Sequence, residues 1–359
     1  MRKVIGTALV AAVVALACSG DDGDGGEPPA TRSPTLEASP TAQAAACSGT
    51  IPVVANSNTG EVRLLRFTGS QVSMSEPVGT SLVHPVLSPD GKRIAYFSVR
   101  PTFSLWVANA DGSNPVRLAE VSQLHDHNPP VWSPRGDAIA FESERAGSQG
   151  TRSDVFVVKA DGSGLTNLTA SALSADTPSW SPDGARLAFA GRETDSANVY
   201  VVNVDGSGAR PVTDYKNGIY ANSAAWSPDG SVIAYLANAS DNVDVFTVRP
   251  DGAGGTNVTK SPTPEFVSPV GHLPLEFSPD GKKLAFLSER TGDVEAYVIN
   301  TDGTGLQRLT NHAGTEFRVE WVAPGCLTFY LSRPSPMGGL PVFAVREDGT
   351  GVVELTTLR

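Results

Sequence analysis

The chain has 359 residues, 40% hydrophobic and 18% charged, and its 27 basic residues face 38 acidic ones for a net charge of −11 at pH 7. An acid excess of this size lacks the basic footprint that a phosphate backbone demands, so nucleic acid is excluded as the expected partner. It also opposes a broad affinity for anionic lipid surfaces.

In chain order, the first element is a leader. Arg2 and Lys3 precede an apolar run from Val4 to Ala17, and small residues lead up to Cys18, which is the pattern of a secretory signal over residues 1–17. The 14 apolar residues are too few to span a bilayer as a helix. Val14-Ala15-Leu16-Ala17-Cys18 resembles a bacterial lipoprotein signal, which implies lipidation of Cys18 and a protein anchored on the outer side of a membrane. Ala15-Leu16-Ala17 also fits an ordinary small-x-small cleavage site, so both readings stand.

Residues 19–46 are Gly, Asp, Pro, Ser, Thr and Ala with almost nothing to bury, and they read as a disordered tether. Twenty-eight such residues reach about 30 Å. Of the three cysteines, Cys18 is the candidate for lipid, which leaves Cys47 and Cys326 for a disulfide in an oxidising compartment or as two free thiols.

From residue 47 to 359 the chain repeats. Ser-Pro-Asp-Gly or a variant starts at Ser88, Ser133, Ser181, Ser227 and Ser278, at intervals of 45 to 51 residues, with a worn copy at Ala323-Pro324-Gly325. A second turn signal, usually Asp-Gly, interleaves at Asp111, Asp161, Asp205, Asp251, Asp302 and Asp348, and Thr68-Gly69 holds that place in an earlier partial copy. Each unit therefore reads as four short strands punctuated by tight turns, since Pro presets φ, Asp bonds local backbone and Gly accepts φ > 0. Apolar runs such as Ile94-Ala95-Tyr96-Phe97 and Leu284-Ala285-Phe286 must be covered on both faces. Four-stranded units stacked face to face, with no helical period between them, predict an all-β propeller of antiparallel blades.

These residues resemble the repeats of the TolB propeller and related WD-like families: an aromatic residue, Ser-Pro-Asp-Gly, an Ile/Leu-Ala-Phe strand, a Tyr-Val strand, Asp-Gly-Ser-Gly and Leu-Thr. Val199-Tyr200-Val201-Val202 with Asp205-Gly206-Ser207-Gly208, and Gly305-Leu306-Gln307-Arg308-Leu309-Thr310, are close copies. Six units are complete and residues 51–79 supply three further strands, so seven blades are expected rather than six. Cys47 and Cys326 then precede the second strands of the first and last units, which are neighbours in a closed ring.

Trp132, Trp180, Trp226 and Trp321 each precede a Ser-Pro turn or its worn equivalent, a regularity that predicts packing between blades. Asp90, Asp183, Asp229 and Asp280 abut glycine with no tryptophan following, so they read as turn formers rather than sialidase-type Asp boxes. The opposite face carries connections that vary from copy to copy, and all five histidines fall there: His84, His125, His127, His272 and His312. Asp126, Asn128, Asp176, Asn222, Glu316 and Arg318 join them in a polar rim around the channel. The rim reads as a site for a polar ligand, with imidazoles and carboxylates also suited to zinc, manganese or iron, or as solvated loops that happen to carry histidine. Arg100, Arg145, Arg192, Arg290 and Arg333 recur between second and third strands, as loop ion pairs or as carboxylate or sugar recognition.

No Gly-x-Ser-x-Gly elbow and no Gly-x-x-x-x-Gly-Lys phosphate loop occurs in the sequence. The reading is a monomeric, non-catalytic binding module at the cell envelope, using the histidine-bearing face for a protein or glycan partner and needing no cofactor. The alternative is a metal-dependent enzyme, because some TolB-like propellers are lyases on acidic oligosaccharides that use histidines and a divalent metal near the channel.

Overall fold

A computed structural model describes residues 47–56, 59–121, 128–144, 152–170, 173–240, 242–261, 275–311, 316–331 and 341–356. The leader, Cys18 and the tether lie outside these residues. Every regular element described is a strand, and the strands form seven antiparallel sheets arranged as the blades of one propeller. None of the described residues forms a helix long and apolar enough to cross a membrane.

Six blades have four strands in simple sequential order. The first strand of each is the innermost: Leu82–Leu87, Val131–Trp132, Ser174–Trp180, Ala221–Trp226, Glu276–Phe277 and Glu316–Ala323 in blades 2 to 7. Blade 1 has the three strands expected of the partial copy. Among the described residues they are Ser48–Asn56, Glu61–Thr68 and Gln71–Met74, which correspond to the second, third and fourth strands of the other blades.

Local turn chemistry explains why the copies fold alike. In each Ser-Pro-Asp-Gly turn the serine carbonyl accepts the glycine N–H, as at Ser227 and Gly230 (2.9 Å), and the serine hydroxyl donates to the aspartate (2.6 Å to Asp229). That hydrogen bond, foremost, holds the carboxyls of Asp90, Asp183, Asp229 and Asp280 below the usual range. These aspartates are thus consumed by the turns, as expected. Gly230 has φ 71°, a left-handed conformation that disfavours any side chain. Replacing Ser227 by Ala should remove two turn bonds and lower stability by about 1 kcal/mol in a urea melt.

A threonine after a Leu or Val closes blades 3 to 6 on their outer side. Thr169, Thr213, Thr259 and Thr310 accept the third-strand N–H of Val155, Val199, Val245 and Ala296 at 2.9 to 3.0 Å. Thr169, Thr259 and Thr310 donate in turn to the buried Asp154, Asp244 and Glu295, and Thr213 donates to Asn198, so these acceptors are structural.

The tryptophans pack between blades. Trp132, Trp180 and Trp226 are each 7% exposed. Trp132 Nε1 donates to the Val86 carbonyl (3.1 Å) and Trp180 Nε1 to the Val131 carbonyl (3.0 Å), each on the preceding blade. Arg93 and Arg186 lie 5.0 Å over the rings of Trp132 and Trp226.

The ring closes between blades 7 and 1 without a shared strand. Cys47, Ile51, Val53 and Phe67 pack against Cys326, Val342, Ala344 and Leu355. Cys47 and Cys326 are joined as a disulfide with Cα atoms 5.4 Å apart, which decides between the bridged and free-thiol readings.

Candidate functional site

The inner strands of neighbouring blades lie against one another, so their side chains surround the propeller axis. Three of these strands share an irregularity. Their register with the second strand shifts between Val83 and Val86, between Asp176 and Ser179, and between Asn222 and Ala225. At each shift one non-glycine residue takes a left-handed backbone: His84 (φ 51°), Thr177 (φ 53°) and Ser223 (φ 55°). All three stand four positions before a turn serine, at the same height in blades 2, 4 and 5. Such a conformation costs about 1–3 kcal/mol per residue and persists where surrounding structure or function demands it.

His84 is the described member of the five histidines, and its place differs from expectation. It sits within the inner strand of blade 2, at the bulge, rather than in the connection before it. The positive φ turns its ring edge-on to Phe97, centroids 6.4 Å apart. His125, Asp126, His127, His272 and His312 lie outside the described residues. Glu316 opens the inner strand of blade 7, paired with Leu331.

The other expected rim residues fall into two groups. On blades 3 to 5, Asn128 Nδ2 donates to both oxygens of Glu142 (3.0 and 3.2 Å), and Glu142 also accepts the Thr177 N–H of the next blade. Thr177 Oγ1 lies 3.4 Å from Asp176 Oδ1. Asn222 Oδ1 and Ser223 Oγ are buried without a hydrogen-bond partner among the described residues, although Ser223 is only 6% exposed. Leaving a buried polar atom unpaired costs about 1–3 kcal/mol, and native structures rarely do so without cause.

On blades 6 and 7, Arg318 pairs with Glu320 on its own strand (2.8 Å) and lies 5.7 Å over the Tyr330 ring. Tyr330 donates to Glu320 at 3.0 Å, and Glu276 accepts the Trp321 N–H from the adjoining blade at 3.0 Å. Burial first, and the nearby Glu320 charge second, push the Glu276 carboxyl up to about 7. The Tyr330 hydroxyl is driven well above its ordinary value, chiefly by burial and then by Glu320.

Glu142, Thr177, Ser223, Glu276, Glu320 and Tyr330 were not among the expected site residues. A signal existed for two of them. Glu276 and Glu320 occupy the position just before the aromatic residue, where the other units carry Val86, Val131, Ser179 and Ala225. Of the recurring arginines, Arg290 lies 4.9 Å over Tyr297 and 5.5 Å over Phe286, so there it packs on aromatic rings. Arg145 and Arg333 lie outside the described residues.

The TolB β-propeller domain family matches residues 51–275. The chain belongs to the TolB β-propeller family. A TolB homolog of Chlorobium luteolum is 30% identical over 150 residues, covering 40% of this chain and 31% of that protein. The matched stretch spans less than half the length of such relatives. Among solved structures, an oligogalacturonate lyase in complex with manganese superposes with a TM-score of 0.62 at 16% identity, over 80% of this chain and 82% of that one. A puromycin-hydrolyzing peptidase of Mycobacterium tuberculosis superposes with a TM-score of 0.62 at 18% identity, over 86% of this chain and 51% of that one. At these identities the likeness shows only that this TolB-type chain shares their propeller fold.

Proposed function

We propose that this TolB-type propeller is a non-catalytic binding module at the cell envelope, secreted by its leader, held on the tether after Cys18, and engaging a protein or glycan partner through the channel face. The observation that carries the reading is the set of inner-strand bulges in blades 2, 4 and 5. His84, Thr177 and Ser223 hold a strained backbone at equivalent positions, and the Asn222 and Ser223 side chains keep unpaired polar atoms there. Three of the seven described non-glycine residues with a left-handed backbone share this position, and two of the four described unpaired buried polar atoms lie there, as expected where a ligand completes them.

The experiment is a pull-down from envelope extract with the intact protein as bait, followed by the variant His84→Ala/Asp176→Asn/Asn222→Ala. The expected outcome is at least tenfold weaker capture of the partner by the variant, with unchanged melting temperature. Equal capture by both proteins removes the channel face from consideration. Metal analysis of the purified protein, with a thermal shift on adding chelator, tests the rival metal-dependent lyase: bound metal and a shift favour it over the binding reading.

A further inference from the structure

Two carboxyls meet one guanidinium where blade 6 adjoins blade 7. Glu276 and Glu320 hold equivalent places on the two inner strands, each just before the aromatic residue. The Glu276 carboxyl accepts the Trp321 N–H at 3.0 Å, and that N–H belongs to the peptide joining Glu320 to Trp321, so both carboxyls crowd one partly buried space. Like charges so placed disfavour joint ionisation, and one of the two keeps its proton.

The supply of hydrogen-bond donors decides which. Glu320 is well furnished: Arg318 Nε and Nη2 reach its Oε2 at 3.0 and 2.8 Å, and the Tyr330 hydroxyl reaches its Oε1 at 3.0 Å. Each of these donors stabilises the anion. Among the described residues, Glu276 accepts only the Trp321 N–H. Other charges stand aside. The second strand of blade 6, Lys283–Ser288, places Ala285 opposite Glu276, and its Lys283 ammonium is held by Glu347 at 2.9 Å. The inner strand of blade 5, Ala221–Trp226, carries no titratable side chain. Blade 7 therefore supplies the charged and titratable groups that face Glu276 among the described residues: Glu320, Arg318 and Tyr330. The Glu276 carboxyl, pushed up to about 7 first by burial and then by Glu320, agrees with the proton resting there.

Arg318 stands between the two carboxyls. In the structure it is paired with Glu320 and lies 5.7 Å over the Tyr330 ring. It stays cationic throughout the range in which carboxyls titrate. We propose that the proton on Glu276 is a switch for this arm: when Glu276 releases it to water, the guanidinium is drawn off Glu320 and Tyr330 to bridge the inner strands of blades 6 and 7. The junction carries no net charge before the release and a negative charge after it, so this part of the channel wall turns from tolerating anions to favouring cations. The switch operates whether or not a partner occupies the channel.

The test is NMR on the purified intact protein with isotope-labelled tryptophan and arginine. The Trp321 backbone and Arg318 Nε signals are assigned with Trp321→Phe and Arg318→Lys. Both should move together between about pH 5 and 9, with a shared midpoint close to the Glu276 value of about 7. Glu276→Gln should leave both flat, and Glu320→Gln should bring the Trp321 midpoint down by about one pH unit or more. A Trp321 signal that still titrates in Glu276→Gln reports a different group, such as a histidine, and overturns the proposal. So does an Arg318 signal that stays fixed while Trp321 moves, or a midpoint unmoved by Glu320→Gln. If Glu276→Gln fails to fold, native protein labelled at the glutamate carboxyl carbons decides. One glutamate should titrate near neutrality, clear of the rest, and its absence overturns the switch.

Discussion

Removing the Cys47–Cys326 bridge is expected to lower stability by about 2–5 kcal/mol, a fall of about 4–10 °C in melting temperature for a domain of this size. The bridge spans 279 positions of sequence, so it constrains nearly the whole repeat region in the unfolded state. Its native role is equally specific. Propellers resist opening where one blade is built from both ends of the chain, but here the strands of blade 1 are consecutive at residues 48–74 and those of blade 7 consecutive at 316–354. Among the described residues, closure rests on the apolar packing of Ile51, Val53 and Phe67 against Val342, Ala344 and Leu355, together with this covalent link. Thermal melts of the native protein with and without reductant, beside a Cys47→Ala/Cys326→Ala variant, measure the effect. An unchanged melting temperature in reductant would show that packing alone holds the ring.

The second large effect concerns acidity. Glu276 has a carboxyl raised in the folded protein to about 7 from an ordinary 4.5, first by burial and then by Glu320, against the opposing pull of the Trp321 N–H and of Arg318. A raised carboxyl favours folding in its protonated form, so this contribution is complete below about pH 4.5 and is lost as pH climbs to about 7. At ~1.4 kcal/mol per unit, the loss amounts to about 2–3 kcal/mol after allowing for partial exposure of the side chain. Glu276→Gln keeps an acceptor for the Trp321 N–H but never ionises. It should match the native protein at pH 5 and exceed its stability at pH 8, read as the difference between urea midpoints at the two values. Equal differences at both would place the Glu276 charge outside the blade 6 and 7 interface.

The repeats made much of the architecture legible before any coordinates. Ser-Pro-Asp-Gly dictates a turn by bonds within five residues, as the Ser227 hydroxyl shows with Asp229 and Val232, so its recurrence marks six of the seven blades. The tryptophan before four of the six turns announced packing between blades for the same reason of periodicity. The site was legible only in part. Asn128, Asp176, Asn222 and Arg318 do stand on or beside the inner strands. Their partners were hidden, because Glu142 reaches Thr177 across 35 positions and Glu276 reaches Trp321 across 45. Nor does any residue pattern reveal a positive φ at His84, Thr177 or Ser223, since none of these is a glycine.

By itself, then, the sequence determined the all-β repeat, its six complete units and the turn chemistry, because each of these depends on bonds among near neighbours repeated at a fixed interval. Only the tertiary structure decided how the ring closes and which polar atoms are left unmet at the bulges. Those features arise where one blade meets the next, from residues tens to hundreds of positions apart, and no local rule of turn or strand formation specifies them.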